Sequence, residues 1–223
     1  MAKMGDKKAF GAEFIGTFTL IFAGVLSGVA VQLQGGSLAT VAFAHGLAIA
    51  IMATAFGATS GGHFNPAVTV SFVTTGRMKA GTAFGYIVSQ LAGAAAAAYT
   101  VAFVTKGLVE SPGGTPAHVV SVPQAIVAEA LFTAFLVIAI YGTAVDKRAP
   151  KMGALYIGLS IVMAACAIGP ITGACLNPAR WFGPALAEGH WSDALVYLVG
   201  PLLGGLAGGF LYDAIGASEP AAA

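Results

Sequence analysis

Charged residues are scarce in this chain of 223 residues. Only 9% of its residues are Asp, Glu, Lys or Arg, whereas 57% are hydrophobic, and its mean hydropathy is +0.85. So few charges cannot solvate the surface of a globular protein of this size. The composition therefore excludes a soluble domain and predicts a protein that crosses a membrane several times.

Cysteine is rare as well. The two cysteines, Cys166 and Cys175, lie in or beside apolar sequence, which argues against a disulfide framework. An intramembrane enzyme would have to use His63, Cys175 or Glu129, and the sequence shows neither a nucleophile–base set nor a cluster of metal ligands. We therefore expect no enzyme activity, no cofactor, no bound metal and no nucleic-acid partner.

Long hydrophobic runs are what the chain has in abundance. A helix needs about 20 apolar residues to cross a bilayer core of ~30 Å. Six stretches are long enough, at residues 9–31, 39–57, 82–104, 123–145, 152–169 and 192–215. The first of them is long and has no convincing small-residue cleavage site, so we expect no cleavable signal peptide.

The basic residues are sorted to one side of these spans. They precede span one, lie between spans two and three, or lie between spans four and five: Lys3, Lys7, Lys8, Arg77, Lys79, Lys147, Arg148 and Lys151. Lys106 lies in a loop on the other side. Because cytoplasmic loops are enriched in Lys and Arg, we expect both termini in the cytoplasm. We expect the chain in the bilayer of the cell membrane, with a vacuolar-type membrane as the alternative.

One tripeptide occurs twice, as Asn65-Pro66-Ala67 and as Asn177-Pro178-Ala179. Asn is a preferred helix N-cap and Pro is preferred at the first helical position, so each tripeptide predicts a loop that turns into a helix. Both helices should be short half-helices, because glycine and proline follow each tripeptide closely, at Gly76, Gly81, Gly183-Pro184 and Gly189.

The loops before the tripeptides are expected to line a wet space. Backbone that is not helical at membrane depth is tolerated only where protein or a water-filled cavity satisfies its polar groups. This condition applies to loops 58–64 and 170–176. The candidate pore-lining residues of these loops are Gly61, Gly62, His63, Gly173 and Cys175.

The chain also repeats itself on a larger scale. Ala9, Glu13, Thr17 and Leu20 recur at the same spacing as Ala125, Glu129, Thr133 and Leu136, and the run from Tyr86 to Gly93 matches that from Tyr197 to Gly204. The chain is therefore expected to be one domain, 1–223, made of a duplicated unit of three spans, about 9–104 and about 123–215. Because three is odd, the second copy enters the bilayer from the opposite side, which predicts an all-α membrane protein with six transmembrane helices, two half-helices and an inverted three-helix repeat.

Two half-helices that begin at one spot would place partial positive charge there, about half an elementary charge each. This arrangement repels cations and protons and holds a neutral molecule by its oxygen. Glu13 and Glu129 are the buried acids of the two repeats, and we expect each to accept hydrogen bonds from backbone N–H groups of the nearby loop. A proton relay is the alternative, and it would need further titratable partners in the spans.

These residues resemble the aquaporin family, or major intrinsic proteins, over essentially the whole chain. The two tripeptides at this spacing, the Glu in spans one and four, and Arg180 directly after the second tripeptide carry the resemblance. It implies a homotetramer with one pore per subunit. It also implies a narrow outer filter built from span two, span five, the second loop and the Arg.

Spacing from each tripeptide maps this filter to His45, Ala165, Ala174 and Arg180. The pattern is most similar to the plant tonoplast-type branch, in which span two offers His and a loop histidine can join the filter. His118 is the candidate for that histidine. Ala165 departs from the branch, which usually has Ile there.

The resemblance and the small filter residues together imply passage of water and of small neutral solutes such as ammonia or hydrogen peroxide. A glycerol or urea facilitator is the alternative, favoured by the two alanines and disfavoured by Trp181, which stands where facilitators typically have Asp. A coupled transporter is a third hypothesis, because broken helices and inverted repeats also build transporters. The near absence of titratable groups in the spans argues against it.

Overall fold

The structure of the protein is a computed structural model that describes residues 4–149 and 151–216. Its long helices are α1 (Met4–Gln34), α2 (Leu38–Ser60), α4 (Ala80–Val104), α5 (Val122–Ile140), α6 (Gly153–Thr172) and α8 (Ala194–Ile215). Its short helices are α3 (Pro66–Thr74) and α7 (Pro178–Glu188), and a single π-helical segment, Tyr141–Val145, extends α5. Lys3, which we assigned to the cytoplasmic side, lies outside the described residues.

Six helices among these residues are long and apolar enough to cross a membrane. They are Asp6–Gln34, Leu38–Ser60, Ala80–Val104, Val122–Val145, Gly153–Thr172 and Ala194–Ile215. They correspond one to one with the six predicted stretches. The prediction of an all-α membrane protein with six spans and two half-helices is thus confirmed.

The C-terminal ends of two helices differ from the prediction. Helices α2 and α6 continue into the segments 58–60 and 170–172, so the non-helical loops are shorter and cover 61–65 and 173–177. Gly61 and Gly173 end these helices in the left-handed conformation, with φ of +88° and +75°. Each loop therefore begins at the glycine that can adopt a positive φ without a steric penalty.

The prediction that Gly183-Pro184 interrupts the second half-helix was wrong, since α7 runs on to Glu188 and ends at Gly189 with a φ of +69°. Gly183 is buried where α7 meets α4, and a Cβ there would lie 2.5 Å from the carbonyl oxygen of Ala94. This glycine therefore permits close helix packing rather than ending the helix.

The two repeats pack into each other. Helix α1 packs against α4 in the first repeat, as α5 packs against α8 in the second. Each half-helix packs mainly against the last span of the other repeat, α3 on α8 and α7 on α4. Neither repeat is therefore complete without the other, and the two half-helices are brought to the centre of the bundle.

Glycine allows the backbones of two helices to touch where the helices cross. Gly46 of α2 and Gly158 of α6 face each other, and a Cβ on Gly46 would lie 2.6 Å from the carbonyl oxygen of Gly158. A Cβ on Gly204 of α8 would overlap the carbonyl oxygen of Ala130 in α5. Small residues at such crossings replace the hydrophobic driving force that lipid does not supply.

One end of the bundle, which we call the basic end, is tied together by ion pairs. Arg77 donates to both carboxylate oxygens of Asp213 at 2.9 and 2.5 Å. Arg148 donates to Asp146 and, at 2.7 Å, to the carbonyl of Gly216. The Arg148 guanidinium lowers the pKa of Asp146 below its usual value. These bonds fix the chain after the π-helical segment to the end of α8.

A test of the close crossing is Gly204→Ala. The added methyl group overlaps Ala130 and should lower the free energy of unfolding by about 1–3 kcal/mol, the typical cost of overpacking. Thermal unfolding of the purified protein in detergent measures this effect. Gly11→Ala is the matched control, because a Cβ at Gly11 meets no atom within 4 Å; equal stability of the two variants would contradict the packing argument.

Candidate functional site

The two loops that precede the half-helices are held in an unusual backbone conformation. Phe64 and Leu176, at equivalent positions in the two repeats, have φ of 47° and 54°, and Ala174 has φ of 45°. Residues with a side chain rarely adopt this left-handed region. The conformation therefore depends on the hydrogen bonds that surrounding groups make to these loops.

Asn65 and Asn177 link the two loops reciprocally. The Nδ2 of Asn65 donates to the carbonyl oxygen of Leu176 at 2.9 Å, and the Nδ2 of Asn177 donates to that of Phe64 at 2.9 Å. Each Asn Oδ1 caps its own half-helix by accepting from the backbone N–H of Ala67 or Ala179, at 2.8 and 2.9 Å. Because an amide nitrogen carries two hydrogens, one N–H of each Asn remains to bond a molecule in the adjoining cavity.

The carboxylates of Glu13 and Glu129 accept hydrogen bonds from the backbone N–H groups of the two loops. Glu13 accepts from the N–H groups of His63 and Phe64 at 3.0 and 2.7 Å. Glu129 accepts from those of Cys175 and Leu176 at 2.9 and 2.7 Å. The hydrogen bonds that we expected from loop N–H groups are thus present in both repeats, and both carboxylates are fully buried.

Several supporting residues escaped the sequence reasoning. The hydroxyls of Ser60 and Thr172 donate to Glu13 and Glu129 at 2.7 and 2.6 Å. The tyrosines of the matching runs donate to the carbonyls of the same two residues, from Tyr86 to Ser60 at 2.7 Å and from Tyr197 to Thr172 at 2.9 Å. The signal that could have revealed them is that each pair occupies equivalent positions of the repeat.

Gln90 adds a support to the first repeat, whereas the equivalent position of the second repeat is Pro201, which has no side-chain donor. The Nε2 of Gln90 donates to Glu13 at 2.7 Å and to the hydroxyl of Thr69 at 3.0 Å. The same Thr69 hydroxyl lies 3.1 Å from Nδ1 of His63. His63 is thereby fixed in the wall of the cavity, as its position beside the first tripeptide suggested.

A cavity of about 330 Å³ runs along these loops. The four residues mapped as the filter, His45, Ala165, Ala174 and Arg180, all line it. It is also lined by most of the predicted loop residues and by both capping amides: Gly62, His63, Asn65, Gly173, Cys175 and Asn177. The fold thus brings His45 and Arg180, which are 135 positions apart in the chain, to one cavity.

Gly61 is an exception among the predicted loop residues. It ends α2 and is exposed, whereas Gly62 and His63 face the cavity. The first residue of this loop that lines the cavity is therefore Gly62 and not Gly61.

Arg180 is oriented by the loop that connects α4 and α5. Its Nη1 donates to the carbonyl oxygen of Gly114 at 2.9 Å. Gly114 has a φ of +109°, and a Cβ there would lie 2.8 Å from a methyl carbon of Val25. Glycine at this position lets the loop pass close to α1 and present its carbonyl to the guanidinium.

His118, the candidate loop histidine, is not among the residues that line this cavity. Its Nδ1 lies 2.7 Å from the carbonyl oxygen of Val120, and its Nε2 lies 3.5 Å from Asp193 at the start of α8. These two partners fix the orientation of the ring. Its neighbours Pro116 and Ala117 line the cavity instead.

Cys175 lies in the cavity wall, but its thiol is directed into the protein. The side chain is 4% exposed, and its Sγ donates to the carbonyl of Asn177 at 3.1 Å. Cys166 is exposed on α6. The part of the chain that the structure describes contains no group of three or more His, Cys, Asp or Glu able to hold a metal ion.

The sequence reasoning also missed one wall of the cavity. Helix α1 contributes residues to it, among them Gly24, Val25 and Gly28. The loop of residues 112–117 also lines the cavity, and the buried hydroxyl of Thr115 in this loop has no partner among the described groups. The wall is therefore mainly apolar, with a few polar groups aimed at its interior, as in a selective binding site or pore.

The chain is similar to known membrane proteins over nearly its whole length. A family model described as major intrinsic protein matches residues 1–212. Aquaporin TIP4-4 of Zea mays is 41% identical, with 97% of this chain and 91% of the relative covered. Aquaporin TIP2-1 of Arabidopsis thaliana is 39% identical, with the same coverage of 97% and 91%.

A solved structure shares the fold. The aquaglyceroporin from Plasmodium falciparum matches with a TM-score of 0.83 over 94% of this chain and 96% of its own, at 24% sequence identity. At this identity the likeness shows the common architecture of spans and half-helices. It does not extend to the solute.

A test of the loop support is Glu129→Gln. One carboxylate oxygen becomes an NH₂ group that faces backbone N–H donors, so a buried donor is left unpaired and the free energy of unfolding should fall by about 1–3 kcal/mol. Thermal unfolding in detergent measures the loss. Glu188→Gln, at an exposed acid of α7, is the control; if both variants unfold like the wild type, Glu129 does not support the loop.

Proposed function

Because the chain belongs to the major intrinsic protein family, the aquaporins, we propose that it is a passive pore for water and for small neutral solutes such as ammonia or hydrogen peroxide. The observation that carries this proposal is the single cavity that His45, Ala165, Ala174 and Arg180 share with Asn65 and Asn177. It joins a polar, donor-rich constriction to the point where the two half-helices begin.

Electrostatics favours neutral solutes in this cavity. Asn65 and Asn177 lie at the N-termini of α3 and α7, where each helix carries partial positive charge of about half an elementary charge. Arg180 adds a permanent charge and fixed donors. Cations and protons are repelled by this field, while a neutral molecule can accept hydrogen bonds through its oxygen or nitrogen.

The size of the filter residues favours solutes beyond water. Ala165 and Ala174 leave space that larger side chains would fill, and His45 and Arg180 keep one side of the wall polar. A glycerol or urea facilitator is the second candidate, and the same two alanines favour it. Trp181 does not decide between the two, because it is 3% exposed and packs against Trp191 rather than lining the cavity.

The proposal includes a homotetramer in the lipid bilayer with both termini in the cytoplasm. The sorting of Arg77, Lys79, Lys147, Arg148 and Lys151 to the basic end supports this orientation. Large apolar side chains on the outer surface support contact with lipid or with other subunits; Phe84 and Phe103, for example, are 72% and 81% exposed. The cell membrane is the proposed location, and the likeness to TIP-type relatives favours a vacuolar-type membrane as the alternative.

Stopped-flow light scattering on proteoliposomes tests the proposed solutes. We expect osmotic water permeability and ammonia uptake above those of protein-free liposomes. We expect slow glycerol uptake, because the side chains of His45 and Arg180 narrow the filter from one side. Fast glycerol uptake would replace the first proposal by the facilitator. Water permeability equal to that of protein-free liposomes would refute both.

Arg180→Ala should let the pore conduct solutes that the wild type excludes. Loss of the charge and of the guanidinium volume is expected to raise urea and glycerol uptake relative to water by about tenfold, the scale on which a site distinguishes solutes that differ by one small group. Arg148→Ala is the control, since Arg148 is 58% exposed at the basic end and is not among the cavity-lining residues. Unchanged selectivity in a folded Arg180→Ala protein would argue against its place in the filter.

A further inference from the structure

The ring of His45 occupies the space that a side chain at Gly24 would need. A Cβ built on Gly24 would lie within 2.6 Å of three ring atoms, Nε2, Cε1 and Cδ2. Real Cβ atoms do not approach other atoms so closely. The His45 ring, on α2, therefore packs directly against the backbone of α1, in a space that exists because residue 24 is glycine.

His45 is held in this retracted position from its other side as well. Its Nδ1 lies 2.9 Å from the carbonyl oxygen of Val41, one turn earlier in α2. The side chain is 8% exposed, yet it and Gly24 both line the cavity. The ring thus presents only part of its surface to the cavity and keeps the rest against α1.

The backbone of α2 is not free to move away from α1. Gly46, the next residue, faces the carbonyl oxygen of Gly158 in α6, so close that even a Cβ would lie 2.6 Å from it. Close-packed backbones of this kind resist displacement. A side chain at position 24 would therefore displace the His45 ring, and the open direction for that ring is the cavity.

We propose that Gly24 is a specificity-determining residue of the pore. By having no side chain, it lets His45 retract against α1 and so sets the width between His45 and the opposite wall of Ala165, Ala174 and Arg180. This inference rests on the proposed function of the cavity as a pore. It adds a fifth position, on the first span, to the four that define the filter.

Gly24→Ala tests the inference by adding one methyl group beneath the ring. For each solute larger than water that the wild type conducts, we expect uptake to fall by about tenfold, the low end of the effect of one methyl-sized group in a pocket. Water permeability should fall less, because water is the smallest solute. If the wild type conducts water alone, water permeability itself should fall below that of the control variant.

Gly28→Ala is the matched control. Gly28 lies one turn further along the same helix and lines the same cavity, but a Cβ there meets no atom within 4 Å. It should leave His45 in place and change solute ratios little. A loss in Gly28→Ala equal to that in Gly24→Ala would overturn the proposal, since mere bulk in the cavity would then explain both.

The double variant Gly24→Ala/His45→Ala separates displacement of the ring from damage to the fold. It removes the overlap, so protein yield and solute uptake should return to those of His45→Ala alone. If the double variant is as impaired as Gly24→Ala, the ring is not the cause and the proposal fails.

A crystal or cryo-electron microscopy structure of Gly24→Ala gives a readout that does not depend on flux. We expect the His45 ring to leave the carbonyl of Val41 and enter the cavity. A ring that stays in place would refute the inference even if the protein conducts water. If liposomes with the wild-type protein are no more permeable to water than protein-free liposomes, the proposed function is refuted, whatever the position of the ring.

Discussion

The structure depends on satisfying two short pieces of non-helical backbone in the middle of a membrane. Without water, each unpaired N–H or C=O group costs several kcal/mol. The carboxylates of Glu13 and Glu129 accept from two N–H groups of each loop. Asn65 donates to the carbonyl of Leu176 and Asn177 to that of Phe64, so each Asn bonds the loop of the other repeat. The left-handed residues are therefore fixed from both sides, and the half-helices begin at a defined point.

The rest of the molecule follows from this constraint. Because the loops supply polar groups to one side only, the remaining wall can be apolar, and the cavity contains few groups that would bind a solute tightly. A pore conducts when binding is favourable enough for entry and weak enough for exit. In the pore that we propose, the half-helix N-termini and Arg180 determine charge selectivity, while Ala165, Ala174 and the retracted His45 determine width.

The sequence predicted the features that repeat or that obey strong local rules. The six spans followed from length and hydropathy, the half-helices from the Asn-Pro pairs, and the acid-to-loop hydrogen bonds from the duplicated Glu13 and Glu129. It did not predict the features set by tertiary contacts. The contact of His118 with Asp193, far along the chain, could not be predicted from one segment. Gly183-Pro184 looked like a helix end because its close packing on Ala94 cannot be seen in one segment either. The wall that Gly24 contributes was invisible for the same reason.

We propose that the joined loops conduct water while excluding protons. The most direct test of this proposal measures both quantities in one preparation of proteoliposomes, osmotic water permeability by light scattering and proton leak by an internal pH-sensitive dye. We predict that water permeability rises in proportion to the amount of protein, while the proton leak stays at the level of protein-free liposomes. A proton leak that rises with the protein, or a water permeability that does not, would contradict the account.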